Sequence, residues 1–316
     1  MTWVNRANKA GRLGFGEGLV EAAKENPNII ALGADITASV GMQDFATQFP
    51  ERFFSFGIAE QNIIGAATGL YLGGKIPIFS TYGVFAAHRA NDQIRVSVCY
   101  NNAHVLIGGA HAGISVGPDG ATHQALEDIA VMRVLPNMTV LSPCDAEQCK
   151  QATKAALLEM DSPVYIRFGR EAVPNFTLPN QEFIIGKAQL MRTGTDISFF
   201  ATGHLLWEAI QAANILEKEN ISVEVINIHT IKPIDKDAIL KSAKKTGRVV
   251  TAEEHQVMGG FGSAVAEILI QNYPVPLQMV GVKDTFGESG EPDELMDKYG
   301  LRAKDIIKAA RILLAN

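Results

Sequence analysis

The sequence lacks any long uninterrupted apolar run. No stretch approaches the roughly 18 consecutive apolar residues that a membrane-spanning helix requires, and the amino terminus alternates polar and apolar residues, which predicts neither a signal peptide nor a membrane anchor. A basic surplus is also missing, since 28 Lys and Arg face 34 Asp and Glu for a net charge of −6. That balance argues against nucleic-acid or membrane partners. We therefore expect a cytoplasmic protein.

Cysteine is scarce as well. The three residues Cys99, Cys144 and Cys149 form neither an even set nor a CxxC pair, so a disulfide framework is not expected. What the chain does contain is apolar residue, 47% of its 316 positions, beside only 20% charged residue. At about 150 residues per domain, this is enough for two domains with a core each, which excludes a disordered chain.

Short apolar runs alternate with helical patterns along the chain, which predicts two doubly wound α/β domains with mostly parallel sheets. We expect one domain at 1–175, a linker at 176–190 and a second domain at 191–316. The proline-bearing segment Glu171–Glu182 is expected to lack regular structure. The predicted strands are Ile29–Leu32, Arg52–Phe56, Ile76–Ser80, His104–Gly108, Thr139–Leu141, Val164–Phe168, Ile197–Ala201, Val223–Asn227, Arg248–Glu253 and Leu277–Val282. The predicted helices are Gly11–Glu25, Glu60–Leu72, Val84–Val98, Ala125–Arg133, Ala146–Glu159, Leu205–Glu219, Lys236–Lys245, Gly262–Gln271 and Ala303–Leu314.

Two segments combine polar side chains with a strand-to-helix transition. In FSFGIAEQN (54–62), Glu60 lies beyond the carboxyl end of a predicted strand, where ligands of open α/β sheets bind. It could instead stabilise the helix dipole. In HAGISVGPDGATHQ (111–124), His111, Asp119 and His123 bracket a glycine-rich loop of a kind that is often functional. These three could hold a metal, although their spacing fixes no geometry, or belong to a structural loop.

Aromatic and basic residues give weaker signals. Tyr82, Phe85 and His88 recur at three-residue spacing, which places them on one helix face that is usually part of a core. Arg167 and Arg170 follow a predicted strand, where an arginine can bind a phosphate or carboxylate through two hydrogen bonds or form a surface ion pair. The segment GGFG (259–262) resembles a phosphate-binding loop only loosely.

Together, GIAEQN (57–62), DGATHQALED (119–128) and LPNMTVLSPCDAEQ (135–148) resemble the C-terminal half of transketolases. These enzymes use thiamine diphosphate to transfer two-carbon ketol units between sugar phosphates. The resemblance runs from about Arg12 to the end of the chain. It covers the pyrimidine-binding domain and the C-terminal domain of that family, which implies the corresponding α/β folds.

The resemblance implies a role for each candidate residue. Glu60 would hydrogen-bond a ring nitrogen of the cofactor's pyrimidine and promote loss of the thiazolium proton, and His111 and His123 would share the catalytic work. Cofactor binding is implied for Asp35, Ile58, Glu60, Tyr82, Phe85 and His88. Substrate binding is implied for Arg12 and Arg170 at the anionic terminus and for His111 and Asp119 at the sugar hydroxyls.

One family motif is missing. Transketolases bind the diphosphate and its Mg²⁺ through a GDG motif with a later Asn, and this chain contains no GDG. We expect an N-terminal transketolase subunit to supply it, with no metal ligand in this chain and the cofactor lying between the two polypeptides. Two copies of each chain around a twofold axis would form the active assembly, and this chain alone would be inactive.

Three alternatives stay open. A 1-deoxyxylulose-5-phosphate synthase shares the AEQ and DGxTHQ motifs but lacks a histidine at the position of His111. The beta subunit of a 2-oxo-acid dehydrogenase has a similar size, although the THQ loop suits it poorly. A non-catalytic regulatory subunit could dispense with Glu60, His111, Asp119 and His123, yet all four are present. Neither the donor and acceptor sugars nor the choice between phosphate and sulfonate follows from the sequence.

Overall fold

A computed structural model describes residues 3–179 and 181–315 as helices packed on two large β-sheets and one small ribbon. The strands of the first half are β1 (Ala7–Ala10), β2 (Ile29–Gly33), β3 (Phe53–Ser55), β4 (Ile76–Tyr82), β5 (Leu106–Ala110), β6 (Thr139–Leu141), β7 (Val164–Arg167) and β8 (Ala172–Asn175). Its α-helices are α1 (Gly11–Glu25), α2 (Gln43–Gln48), α3 (Glu60–Leu72), α4 (Asn91–Gln93), α5 (Asp128–Arg133) and α6 (Ala146–Leu158). Tighter 3₁₀ turns cover Pro50–Arg52 and Ile114–Asp119.

The second half repeats the alternation. Its strands are β9 (Gln189–Arg192), β10 (Ile197–Ala201), β11 (Val223–Asn227), β12 (Thr230–Lys232), β13 (Val249–Gln256) and β14 (Leu277–Val282). Its helices are α7 (Leu205–Glu217), α8 (Lys236–Thr246), α9 (Phe261–Asn272), α10 (Pro292–Lys298) and α11 (Ala303–Leu314). The predicted α/β class with mostly parallel sheets is confirmed.

The two large sheets contain seven and five strands. The first has the order β12-β6-β7-β5-β4-β2-β3, and the second has the order β14-β13-β10-β11-β9. All neighbouring strands run parallel except β12 beside β6 and β9 beside β11. Strands such as β2, β5 and β10 are buried along their whole length, which explains why the sequence shows continuous apolar runs rather than alternation.

Glycines allow α1 to pack closely against α6. A Cβ added at Gly14 would lie 1.8 Å from the carbonyl oxygen of Ala146, and one added at Gly18 would lie 2.4 Å from that of Lys150. Asp145 begins α6 by accepting a hydrogen bond from the Gln148 N–H at 2.8 Å. This packing holds the start of α1 beside the first sheet.

The segment that was predicted to lack regular structure contains a strand. β8 lies inside it and pairs antiparallel with β1, with Pro174 opposite Asn8. Each strand of a two-stranded ribbon has one unpaired edge, where the missing N–H of a proline costs no hydrogen bond. The prediction for 171–182 is therefore wrong over these four residues.

The helix predicted at 84–98 is not a regular α-helix. It consists of the π-helical turns Phe85–Arg89 and Ile94–Cys99 on either side of the short α4. Wide turns of this kind are rare and often occur at functional sites. The next predicted helix starts at Asp128 rather than Ala125, because Ala125 forms a β-bridge with Ala112.

Candidate functional site

Most of the predicted site residues lie at the carboxyl edge of the first sheet. Tyr82 ends β4, His111 follows β5, and Asp35 follows β2. These three strands are parallel neighbours, so their carboxyl ends meet at one place. Arg12 reaches this edge from the start of α1, and Arg170 reaches it from the turn after β7. The strand order thus brings together residues that are far apart in the sequence.

An open cavity of about 450 Å³ lies at this edge, and it is lined by Arg12, Ala38, Ser39, Tyr82, His111, Asp119 and Arg170. Arg12 donates from Nη1 to the carbonyl oxygen of Arg170 at 3.3 Å, and Arg170 donates from Nη1 to that of Val116 at 2.8 Å. Asp119 Oδ1 lies 3.7 Å from Arg170 Nη1. One carboxylate facing two guanidinium groups leaves a net positive cavity, which suits an anionic ligand.

Two aromatic rings and two imidazoles form a cluster that reaches this cavity. The ring centroid of Tyr82 lies 4.3 Å from that of His111, 5.6 Å from that of His123 and 5.8 Å from that of Phe85. Phe85 and His123 are 5.4 Å apart in an edge-to-face arrangement. The aromatic spacing and the glycine-rich loop, which the sequence presents separately, therefore form one surface.

His111 is a buried histidine with an unused ring nitrogen. Its side chain is 3% exposed, and its pKa falls from 6.5 to about 4 because burial disfavours the imidazolium and because Arg12 and Arg170 add positive charge. Within the described part of the chain, its Nδ1 atom has no hydrogen-bond partner. Its φ of 54° is uncommon for a residue other than glycine. The neutral imidazole is thus held where Nδ1 can hydrogen-bond a ligand.

Glu60 is the first residue of α3 and is only 1% exposed. Arg89 Nη1 lies 3.0 Å from each of its carboxylate oxygens, and the guanidinium carbon of Arg89 lies 4.3 Å from the ring centroid of Phe85. A single nitrogen occupies one acceptor position on each oxygen, so the carboxylate keeps further acceptor capacity. Glu60 therefore joins the aromatic cluster through Arg89 and Phe85.

The other predicted cofactor-binding residues lie around this cluster. Ile58 is 73% exposed in the loop before α3, and Asp35 is exposed with a φ of 66°. His88 makes none of the ring contacts described above. Its Nε2 lies 3.5 Å from Glu127 Oε2, and a hydrogen bond to Glu127 raises the pKa of His88. His88 therefore has an acidic partner that the sequence did not indicate.

Arg167 does not bind an external anion in this structure. It is 5% exposed and donates from Nε to Asp128 Oδ2 at 2.9 Å, while Tyr165 donates its hydroxyl to the same oxygen at 2.8 Å. The pKa of Asp128 is lowered, because the attraction of Arg167 and these hydrogen bonds outweigh the opposing effect of burial. The sequence suggested a ligand or a surface ion pair, and both interpretations are wrong for this buried pair.

The glycine cluster at 259–262 surrounds a carboxylate of the chain itself. Glu253 accepts hydrogen bonds from the N–H groups of Phe261 at 2.6 Å and Gly262 at 2.7 Å. A Cβ at Gly260 would lie 2.3 Å from Glu253 Oε2. Burial raises the pKa of Glu253 to about 8. The start of α9 is thus occupied by Glu253, which explains the weak resemblance to a phosphate loop.

Sequence reasoning missed four neighbours of the site: Ala38, Ser39, Arg89 and Glu127. Arg89 directly follows His88, but its contact with Glu60 spans 29 positions and no local spacing indicates it. Ala38 and Ser39 follow β2, where the strand-end rule could have identified them.

Neither metal ligands nor membrane segments are found in the described ranges. Between residues 3–179 and 181–315, no three His, Cys, Asp or Glu side chains are placed to hold a metal ion together. None of the helices in the same ranges combines the length and hydropathy of a bilayer-crossing segment.

Comparison with known families matches both halves of the chain. A family model described as "Transketolase, pyrimidine binding domain" matches residues 8–175, and one described as "Transketolase, C-terminal domain" matches residues 186–306. The chain belongs to the transketolase family.

Several relatives are separate subunits of about the same length. The 6-deoxy-6-sulfo-D-fructose transketolase subunit SqwH of Clostridium sp. (strain MSTE9) is 45% identical over 92% of this chain and 90% of its own. An apulose-4-phosphate transketolase subunit of Phocaeicola vulgatus is 38% identical over 95% and 96%. A solved structure described as "Split gene transketolase, inactive beta4 tetramer" matches with a TM-score of 0.91 and 48% identity over 97% and 98%.

Proposed function

We propose that this chain is the C-terminal subunit of a thiamine-diphosphate-dependent transketolase. It would transfer a two-carbon ketol unit from an anionic ketose to an aldose, together with an N-terminal subunit. The observation that carries this proposal is the cavity of about 450 Å³, because five residues implied by the family resemblance line it: Arg12, Tyr82, His111, Asp119 and Arg170.

The residues present fit the pyrimidine end of the cofactor. Glu60 is a buried carboxylate with spare acceptor capacity, and Tyr82 and Phe85 offer ring faces for packing. Bound thiamine diphosphate supplies the nucleophilic carbon of the reaction. Glu60 shares a proton between a carboxylate oxygen and the pyrimidine ring, and Arg89 keeps that carboxylate in place. Ile58 presents an exposed apolar side chain beside it, and Asp35 and His88 complete the surroundings.

The sugar binds at the positive cavity. Arg12 and Arg170 hold its anionic terminus with guanidinium hydrogen bonds, and Asp119 accepts a bond from a hydroxyl. His111 is neutral at pH 7 because its pKa is about 4, so its Nδ1 atom can form a hydrogen bond to a sugar oxygen. His123 moves a proton to or from a reacting oxygen. The relative that acts on a sulfonated fructose makes both phosphate and sulfonate suitable termini for testing.

A partner subunit completes the enzyme. The chain contains no GDG motif, and the described residues hold no cluster of metal-ligating side chains, so the diphosphate and Mg²⁺ fall to the N-terminal subunit. A similar chain has been solved as an inactive beta4 tetramer, which supports both self-association and the need for a partner. Two copies of each chain related by a twofold axis would place the cofactor between unlike subunits.

The test is co-expression of this chain with an N-terminal transketolase subunit from the same genome. Thiamine diphosphate and Mg²⁺ are added with fructose 6-phosphate or 6-deoxy-6-sulfofructose as donor and glyceraldehyde 3-phosphate as acceptor. We expect the complex to produce xylulose 5-phosphate, whereas each subunit alone remains inactive. Glu60→Gln should abolish turnover without loss of the complex. Glu51→Gln changes a carboxylate that is 70% exposed and serves as the matched control.

Other outcomes would exclude the proposal. Release of CO₂ from pyruvate with formation of 1-deoxyxylulose 5-phosphate would identify the synthase alternative. A complex that binds no thiamine diphosphate in calorimetry, and whose Glu60→Gln form behaves like the original chain, would identify a regulatory subunit. Turnover by this chain in the absence of any partner would contradict the division of the cofactor site.

A further inference from the structure

Glu254 links the second sheet to the glycine-rich loop of the first half. It lies near the carboxyl end of β13 and is 4% exposed. Its Oε1 atom accepts a hydrogen bond from the backbone N–H of Ser115 at 2.6 Å, and its Oε2 atom lies 3.1 Å from His204 Nε2. A buried carboxylate that accepts a backbone N–H across 139 positions is an anchor between distant parts of the chain.

The next two residues of β13 hold the far end of the same loop. His255 Nε2 accepts from the N–H of Ile129 at 3.1 Å, at the start of α5. The N–H of Gln256 donates to the carbonyl oxygen of Leu126 at 2.9 Å. One strand end therefore fixes residue 115 on one side of the loop and residues 126–129 on the other.

The loop backbone is shaped around the Glu254 carboxylate. Gly113 has a φ of +95°, and a Cβ at that position would lie 2.2 Å from Glu254 Cδ. Glycine is therefore required both by the backbone conformation and by the approach of the carboxylate. The N–H of Gly113 donates to the carbonyl oxygen of Ala125 at 2.9 Å, which closes the base of the loop.

We propose that Glu254 is a positioning residue that sets where the loop presents His111 and His123 to the cavity. This rests on the proposed function, since it assigns those two histidines to the sugar. Glu254 contacts neither histidine in the bonds described above, so it acts through the Ser115 N–H and the backbone of 111–123. The C-terminal half of the chain would then control substrate binding as well as assembly.

Hydrogen exchange of the full chain tests the anchor without any substrate. Glu254→Ala removes the acceptor of the Ser115 N–H, and we expect roughly tenfold faster amide exchange in the peptide covering 111–124. Glu208→Ala is the matched control. Glu208 is a partly buried glutamate of α7 that accepts from the Ala303 N–H at 2.8 Å and pairs with Arg302, but it contacts no residue of the loop in those bonds. Its variant should leave exchange in 111–124 unchanged.

Kinetics of the assembled complex separate positioning from stability. We expect Glu254→Ala to raise KM for the ketose roughly tenfold, as the loss of one charged hydrogen bond would, with the affinity for thiamine diphosphate within twofold of the original. Glu254→Gln keeps an oxygen for Ser115 and should recover most of this loss. Glu208→Ala should lower the melting temperature with KM unchanged. The Gln variant keeps the test usable if the Ala variant does not fold.

Specific results would overturn the positioning role. Unchanged exchange in 111–124 for Glu254→Ala would show that the anchor is not needed, and so would a KM equal to that of the original complex. Faster exchange in Glu254→Ala, with an original complex that turns over no ketose, would support the anchor and reject the transketolase function. The two failures are therefore distinguishable.

Discussion

His111 gives the chain a specific pH dependence of folding stability. Its pKa is about 4 in the folded chain against 6.5 for an ordinary histidine, so between these values the unfolded chain binds more protons. The contribution to stability is fully present above pH 6.5 and is lost as the pH falls toward 4. At about 1.4 kcal/mol per pKa unit, the difference corresponds to about 3 kcal/mol in the free energy of unfolding.

The measurement compares urea unfolding of the original chain and of His111→Asn from pH 4 to pH 8. Asparagine tolerates the positive φ at this position and does not titrate in this range. A difference between two proteins is needed because other buried groups titrate over the same range, among them His229, whose pKa burial also lowers to about 4. The stability advantage of the original chain should shrink by about 3 kcal/mol between pH 7 and pH 4.

Two further variants locate the cause. His229→Asn should show a similar pH effect on stability with KM for the ketose unchanged, because this histidine lies outside the cavity lining. Arg12→Met removes one of the neighbouring positive charges, and the pKa of His111 should then rise when it is followed by NMR of the imidazole protons. A difference between the original chain and His111→Asn that stays constant from pH 4 to pH 8 would refute this reasoning.

Three other substitutions test the packing that supports the site, each by urea unfolding at pH 7. Gly14→Ala places a Cβ 1.8 Å from the carbonyl oxygen of Ala146 and should cost about 1–3 kcal/mol; unchanged stability would mean that α1 shifts freely. Asp128→Ala leaves the buried Arg167 unpaired and should cost about 3–5 kcal/mol, and a loss under about 1 kcal/mol would argue against a buried ion pair. Asp145→Ala removes a helix cap and three hydrogen bonds to residues 176 and 177, so the loss should exceed the roughly 1 kcal/mol of a cap alone.

The sequence predicted the long buried elements and missed the short ones. Strands β2, β4 and β10 are apolar over most of their length because both faces are covered, and such runs are visible without a structure. β1 and β8 have only four residues each with exposed positions among them. Their pairing joins segments from opposite ends of the first half of the chain, so no local pattern could indicate it.

The family motifs identified the positions of the candidate site, but not its contacts. GIAEQN indicated Glu60, while Arg89 has no motif of its own and is recognised only through the distance to that carboxylate. Spacing placed Tyr82 on a helix with Phe85, whereas it ends a strand. Arg167 and Asp128 stand 39 positions apart, and their burial together depends on the order of strands and loops.

Strand β12 makes the first sheet dependent on the second half of the chain. Its residues 230–232 pair with β6 and form one edge of the seven-stranded sheet. A gene fragment ending near residue 180 would therefore expose the hydrogen-bonding groups of β6 to other strands, which favours aggregation. Neither half should be treated as a transplantable module, and a fusion or truncation intended to keep the sugar cavity has to retain the stretch that crosses back.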